Sequence, residues 1–265
     1  MHREDLKRFR SWFGAYVWRF YTPDPLIRRG IRYKAAHTGR VCRNILQIGR
    51  SLGLGEGDLL LAETIALFHD LGRFKQVFRY RTFNDRLSEN HALLGVRELE
   101  AAAILTTLAA EDRGLILKAI ALHNLPALPP GLEDRQLLFA RLIRDADKLD
   151  ILGLFAAECA RAGGPDPLLV AALPDTPGYS PELVQSLLRG ELCNYAATKN
   201  LNDRKLLHLS WIYDIYFPYT LAAVAREGYF RAIMRSLPDT PEIRAVDARL
   251  QEHLQRALAA CTPTP

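Results

Sequence analysis

The sequence is poor in the features that mark secreted, membrane or metal-ribbon proteins. Its 265 residues contain only four cysteines, at Cys42, Cys159, Cys193 and Cys261. None forms a CxxC pair, and the spacing fits neither a zinc ribbon nor a disulfide framework. Reduced, mostly buried thiols are therefore expected. No apolar run approaches the roughly 20 residues that a membrane span needs. The opening MHREDLKRFRSWFGAYVW is charged and aromatic and lacks the apolar core and cleavage site of a signal peptide. These absences predict a cytoplasmic protein with no membrane partner. Period-2 alternation is scarce, while apolar spacings of three and four recur, so an all-α fold is expected. The net charge of +5 suits an anionic ligand. No Lys/Arg run is dense enough to argue for nucleic acid, which is disfavoured as a partner. There is no internal repeat and no low-complexity stretch.

What is present reads as a series of helices. Helices are expected over about 5–20, 32–52, 58–72, 91–110, 112–123 and 133–161, with Asp58 as an N-cap. The polar segment 73–90 reads as a loop rich in arginine and aromatics. Residues 163–181 hold Gly163-Gly164, five prolines and Gly178, the sharpest composition shift in the chain. The domain reading is thus 1–162 as one domain with its core at about 30–160, 163–181 as a connection, and 182–265 as a helical extension packed on the core. In that extension helices are expected over 181–190, 203–234 and 241–260, with Pro218 kinking or breaking the middle one. Its Trp211, Tyr213, Tyr216, Phe217 and Tyr219 need a surface to cover, on the core or on a second copy of the chain. The balance leans to a homodimer.

Six residues stand out against this background. His69-Asp70 follow an apolar run. His37 lies upstream, and His91, His123 and Asp147 lie downstream. His37 shares a helical face with Val41, Ile45 and Ile48. Asp147 lies four residues after Ile143 and four before Ile151. A carboxylate on an apolar face needs a partner. One such histidine is usually a core residue satisfied by a hydrogen bond. Six ligand-type residues placed this way make that reading less favoured, but spacing alone leaves it open beside the other, in which imidazole nitrogens and carboxylate oxygens converge on a divalent transition metal.

The order His37, His69-Asp70, Asp147 resembles the H…HD…D signature of the HD superfamily of metal-dependent phosphohydrolases. The local wording FHDLGRF and IRDADKLD is similar too, over about residues 30–160. The resemblance implies an all-α HD-domain bundle with an interior site. It implies His37, His69, Asp70 and Asp147, rather than Asp145, as ligands of a first metal. His91 and His123 correspond to second-metal ligands in two-metal members and to phosphate contacts in one-metal members. Many two-metal members have a His-His pair where this chain has His123-Asn124, and the GYP signature is absent. The cofactor expectation is one or two ions of Mn, Fe, Co, Ni or Zn.

A divalent ion lowers the pKa of water toward about 7, and cationic side chains offset charge on a phosphoryl group. Asp70, Lys148 and Arg73 are the catalytic candidates. Arg73, Arg79, Arg81 and Lys148 are the substrate-binding candidates. Asp150 is read either as a residue that orients a ligand or as a surface ion-pair partner. The expected activity is hydrolysis of a phosphomonoester or phosphodiester in a small phosphorylated molecule, a nucleotide among the candidates. The alternative is a catalytically weak HD-domain regulator that binds such a ligand.

Overall fold

The computed structural model describes residues 1–161, 166 and 173–260. Residues 163–165 and 167–172 of the 163–181 connection, and Cys261, lie outside the described residues. The described residues are helical, with no strand among them. No helix among them is long and apolar enough to cross a membrane. The described cysteines are free thiols. The chain forms two compact units, Met1–Asp150 and Ile151–Pro265.

In the first unit the helices are α1 (Arg3–Trp18), α2 (Pro25–Ser51), α3 (Glu56–Phe68), α4 (Leu71–Tyr80), α5 (His91–Ala101), α6 (Ala110–Leu122) and the first part of α7 (Asp134–Cys159). The second unit contains the end of α7 together with α8 (Pro181–Arg189), α9 (Leu201–Ser210), α10 (Pro218–Glu227), α11 (Tyr229–Met234) and α12 (Pro241–Ala259).

α3 is the axis of the first unit. Every residue from Leu61 to Phe68 is buried, as expected of a helix surrounded by others. α1, α2 and α6 pack on it. Phe9 and Trp12 of α1 meet Phe68 with ring centroids 5.7 and 5.8 Å apart. α4 and α5 form a second close pair. Their crossing depends on glycine: a Cβ on Gly72 would lie 2.1 Å from the His91 carbonyl oxygen and 2.8 Å from the Gly95 nitrogen. The backbone that carries His91 is thus held directly against the turn that carries Asp70.

Several boundaries differ from the sequence expectation. Residues 73–80 are helical rather than loop, because Leu71, Phe74 and Val77 recur every three residues and are buried. The polar look of the segment came from its outer face. Asp58 is not an N-cap. Gly55 occupies that position, and Asp58 lies inside the helix, paired with Arg135 at 2.8 Å. α2 starts at Pro25, because Asp24 caps it by accepting from the Leu26 and Ile27 amides at 2.9 and 3.2 Å. α5 ends at Ala101, and turns follow in which Ala103 has a φ of 52°.

The second unit is built around Leu183, Leu187, Leu206, Leu209, Ile233, Val246 and Leu250, all buried. The expected 203–234 helix is instead α9, a 3-10 turn over Trp211–Asp214, α10 and α11. Pro218 does not kink a helix; it opens α10 at the first turn, where a missing N–H costs nothing. The Tyr213 hydroxyl donates to the Leu187 carbonyl at 2.8 Å, and Phe217 is buried.

Candidate metal centre

Four of the six singled-out residues stand at helix ends. His69 closes α3 and Asp70 precedes α4, so the doublet is the break between two helices. His91 opens α5 behind the cap Asn90, whose side chain accepts from the Leu93 amide at 3.1 Å. His123 closes α6. His37 and Asp147 project from within α2 and α7. All four imidazoles are buried, and the Asp147 side chain is 18% exposed.

The six side chains converge. His37 Nε2 lies 3.1 Å from Asp147 Oδ1, 3.3 Å from His69 Nε2 and 3.4 Å from Asp70 Oδ2. His69 Nε2 lies 3.6 Å from Asp70 Oδ2 and 3.7 Å from Asp147 Oδ1. The other Asp70 oxygen, Oδ1, faces His91 Nε2 at 3.3 Å and His123 Nε2 at 3.9 Å, and these two nitrogens are 3.1 Å apart. Three groups therefore offer mutually close ligand atoms: His37–His69–Asp70, His69–His123–Asp147 and Asp70–His91–His123. Ligand atoms about 2.1 Å from one ion lie roughly 3 to 3.5 Å apart, close to these separations. Asp145, also buried, belongs to none of the groups.

The outer nitrogens explain why the inner ones converge. His69 Nδ1 donates to the Ala66 carbonyl at 2.7 Å, and His123 Nδ1 donates to the Ile120 carbonyl at 2.7 Å. His37 Nδ1 donates to Asp150 Oδ2 at 2.6 Å, and His91 Nδ1 donates to Asp85 Oδ2 at 2.7 Å. A carbonyl can only accept, so the proton of a neutral His69 or His123 sits on Nδ1. Nε2 is left as a lone pair aimed inward, the tautomer that metal ligation requires. Two such nitrogens at 3.1 Å repel unless a cation lies between them. Asp147 Oδ1 is buried and faces His37 Nε2 at 3.1 Å. On all these counts the residues fit a divalent ion.

The electrostatics agree. Burial and the Lys34 charge oppose protonation of His37. The carboxylates of Asp147, Asp150 and Asp70 outweigh them and push its pKa up to about 10. The spot thus stabilises positive charge. Burial, with His91 and His69 nearby, pulls His123 down to about 3, so it stays neutral. Burial and Arg73 also lower His91. Burial alone would raise Asp70, but Lys34 and His69 beside it hold it well below the usual carboxylate range.

The remaining candidates divide. Arg73 is at the centre: its Nε lies 3.5 Å from Asp70 Oδ1, while Nη1 donates to Gln76 Oε1 and Asp85 Oδ1, each at 2.8 Å. Lys148, the residue after Asp147 in sequence, is buried. Arg79 and Arg81 are not brought to the cluster. Arg79 is exposed, its guanidinium 5.8 Å from the centroid of the adjacent Tyr80 ring, and Arg81 pairs with the α2 cap Asp24. Helical geometry accounts for this, since both follow the buried Val77 onto the outer end of α4.

Other residues of the centre went unremarked in the sequence. Lys34 is buried with Nζ 2.6 Å from Asp70 Oδ2. It lies one turn before His37, which could have signalled it. Arg40 lies one turn after His37, and its Nη2 donates to Asp150 Oδ2 at 3.1 Å. Asp85 and Gln76 carried no such signal.

The first unit is all-α and carries a buried His/Asp cluster that could hold a metal ion. More specifically, residues 35–152 match the family model of the HD domain, consistent with an HD-domain protein. No curated protein and no solved structure matches the chain.

Proposed function

We propose that this protein is a metal-dependent phosphohydrolase that cleaves an ester bond of a small phosphorylated molecule, nucleotides being the first class to try. The observation that carries the reading is the inward convergence of four imidazole Nε2 atoms on the two oxygens of Asp70 and on Asp147. His37, His69, Asp70 and Asp147 would hold one ion, and His91 and His123 with Asp70 a second. A divalent ion there supplies Lewis acidity and an acidified water at neutral pH.

The chain's own residues supply the rest. Asp70 stays ionised and presents one oxygen to each half of the cluster. Asp150 and Asp85 orient His37 and His91 through their Nδ1 protons. Lys34 and Arg73 bring two positive charges to the same carboxylate, and Lys148 follows Asp147 in sequence. These cations would offset charge that builds on the phosphoryl oxygens in the transition state. The partly exposed Asp147 marks the side from which substrate would enter.

The test has two readouts. Protein purified without chelator is analysed for Mn, Fe, Co, Ni and Zn, then assayed on a panel of phosphomonoesters and phosphodiesters. Metal in the wild type, turnover on at least one ester, and loss of both in Asp70→Ala are expected. Metal-replete protein that turns over nothing on a broad panel would sink the reading.

A further inference from the structure

The two halves of the centre are held in different ways. His69 and His123 are each locked by a carbonyl of their own helix, and His37 by Asp150 on α7. His91 alone depends on a carboxylate from outside any α-helix. Asp85 begins the 3-10 turn Asp85–Leu87, in which no residue is buried and Leu87 is 73% exposed. Apolar packing therefore does little to hold this segment; polar contacts hold it instead. Gln76 of α4 is fully buried, and its Nε2 lies within hydrogen-bond distance of Asp85 Oδ1 at 2.9 Å, Ser88 Oγ at 2.8 Å and the Glu89 carbonyl at 3.1 Å. Arg73 donates to Asp85 Oδ1 and to the Phe83 carbonyl. Asn124, beside His123, reaches Asp85 Oδ2 at 3.3 Å. Donors from His91, Arg73, Gln76 and Asn124 thus all meet on one carboxylate.

We propose that Asp85 is a positioning residue that decides whether the Asp70–His91–His123 half of the centre holds an ion. The inference rests on the metal-dependent reading above. Asp85 fixes His91 with its proton on Nδ1 and its Nε2 lone pair toward Asp70 Oδ1. Through Gln76 and Arg73 it ties that half to the fold of residues 83–89. The His37–His69 half keeps its own carboxylate, Asp150. An amide at position 85 would fail in the role. It has one accepting oxygen for four donors, so either His91 or the Arg73–Gln76 pair would face an NH2 group.

The experiment is a Co²⁺ titration of chelator-treated full-length protein, read by visible absorption and checked by calorimetry. Wild type should bind two equivalents. Asp85→Asn should weaken one phase about 10- to 100-fold, the usual effect of losing a carboxylate behind a metal-bound histidine, and leave the other unchanged. Asp150→Asn should strike the opposite phase. The surviving phase shows that each variant is folded, and Asp85→Ser repeats the test with a smaller side chain. Two undisturbed phases in Asp85→Asn overturn the proposal and leave the hydrolase reading intact. A single equivalent in wild type does the same. Loss of both phases in both Asp85 variants also overturns it, since Asp85 would then support the whole centre. No Co²⁺ binding by wild type overturns the metal-dependent reading itself.

Discussion

Both units bury ionisable side chains, but they complete them differently. In the second unit Asp203 is fully buried and accepts from the Ser180 amide at 2.6 Å, the Ser180 hydroxyl at 2.9 Å and the Lys199 amide at 2.9 Å. His208 is buried against Phe155, ring centroids 4.1 Å apart, and donates Nδ1–H to the Arg204 carbonyl at 2.7 Å. These contacts pin α9 to the start of α8 and fill the core. In the first unit His37, His69, His91 and His123 satisfy one nitrogen each outside the cluster and turn the other toward one another and toward Asp70 and Asp147. Burial of charge alone does not mark a site. A set of buried ligand-type atoms that face one another does, because a chain maintains that cost only where something else completes it.

The comparison can be broken at its strongest point first. Asp70→Ala should abolish metal binding in both halves and drop turnover to background, a loss of at least about 1000-fold if the ion supplies the nucleophile and charge stabilisation. Unchanged metal content in that variant would place the ion elsewhere. Chelation should come next. Metal that binds only the folded state at a thousand times its Kd stabilises by about 4 kcal/mol, so EDTA should lower the melting temperature of wild type and leave Asp70→Ala unmoved. A melting temperature indifferent to EDTA would make the cluster a plain core.

Asp203→Ala tests the other side. It strips three donors of their shared carboxylate and should destabilise the protein by about 3 kcal/mol in urea, with metal stoichiometry unchanged. A change in metal content would erase the distinction between the units. The smallest effect concerns pH. Burial holds the His208 pKa well below its ordinary 6.5, so the folded chain declines a proton that the unfolded chain accepts. Its neutral form therefore favours folding fully above about pH 6.5, and that support falls by about 1.4 kcal/mol per unit as pH drops below 6.5. His208→Gln should show a shallower loss of stability between pH 7 and pH 5 than wild type. Parallel curves would show that His208 does not titrate on unfolding.

Much of the first unit was legible because its signals are local. The apolar faces carrying His37 and Asp147 follow helical spacing, and the HDLGR and DADKLD wording lies within single turns. α4 was missed because its buried stripe of Leu71, Phe74 and Val77 is narrow, Arg73 and Lys75 are interleaved with it and Arg79 follows it. Arg79 and Arg81 looked like phosphate ligands by composition. The outward face of that same helix turned them away from the cluster.

The identity of the candidate ligands and the all-α character were written in residue type and periodicity, which depend on neighbours three or four places away. Which nitrogen of His37 and of His91 faces inward was not. That choice is made by Asp150 for His37, 113 residues distant, and by Asp85 for His91, which belongs to a segment with no apolar pattern. Lys34 became part of the centre only once α2 lay against the α3–α4 break. Local spacing determines what a helix face can offer, while tautomer, charge and pairing depend on what packing brings within about 3 Å.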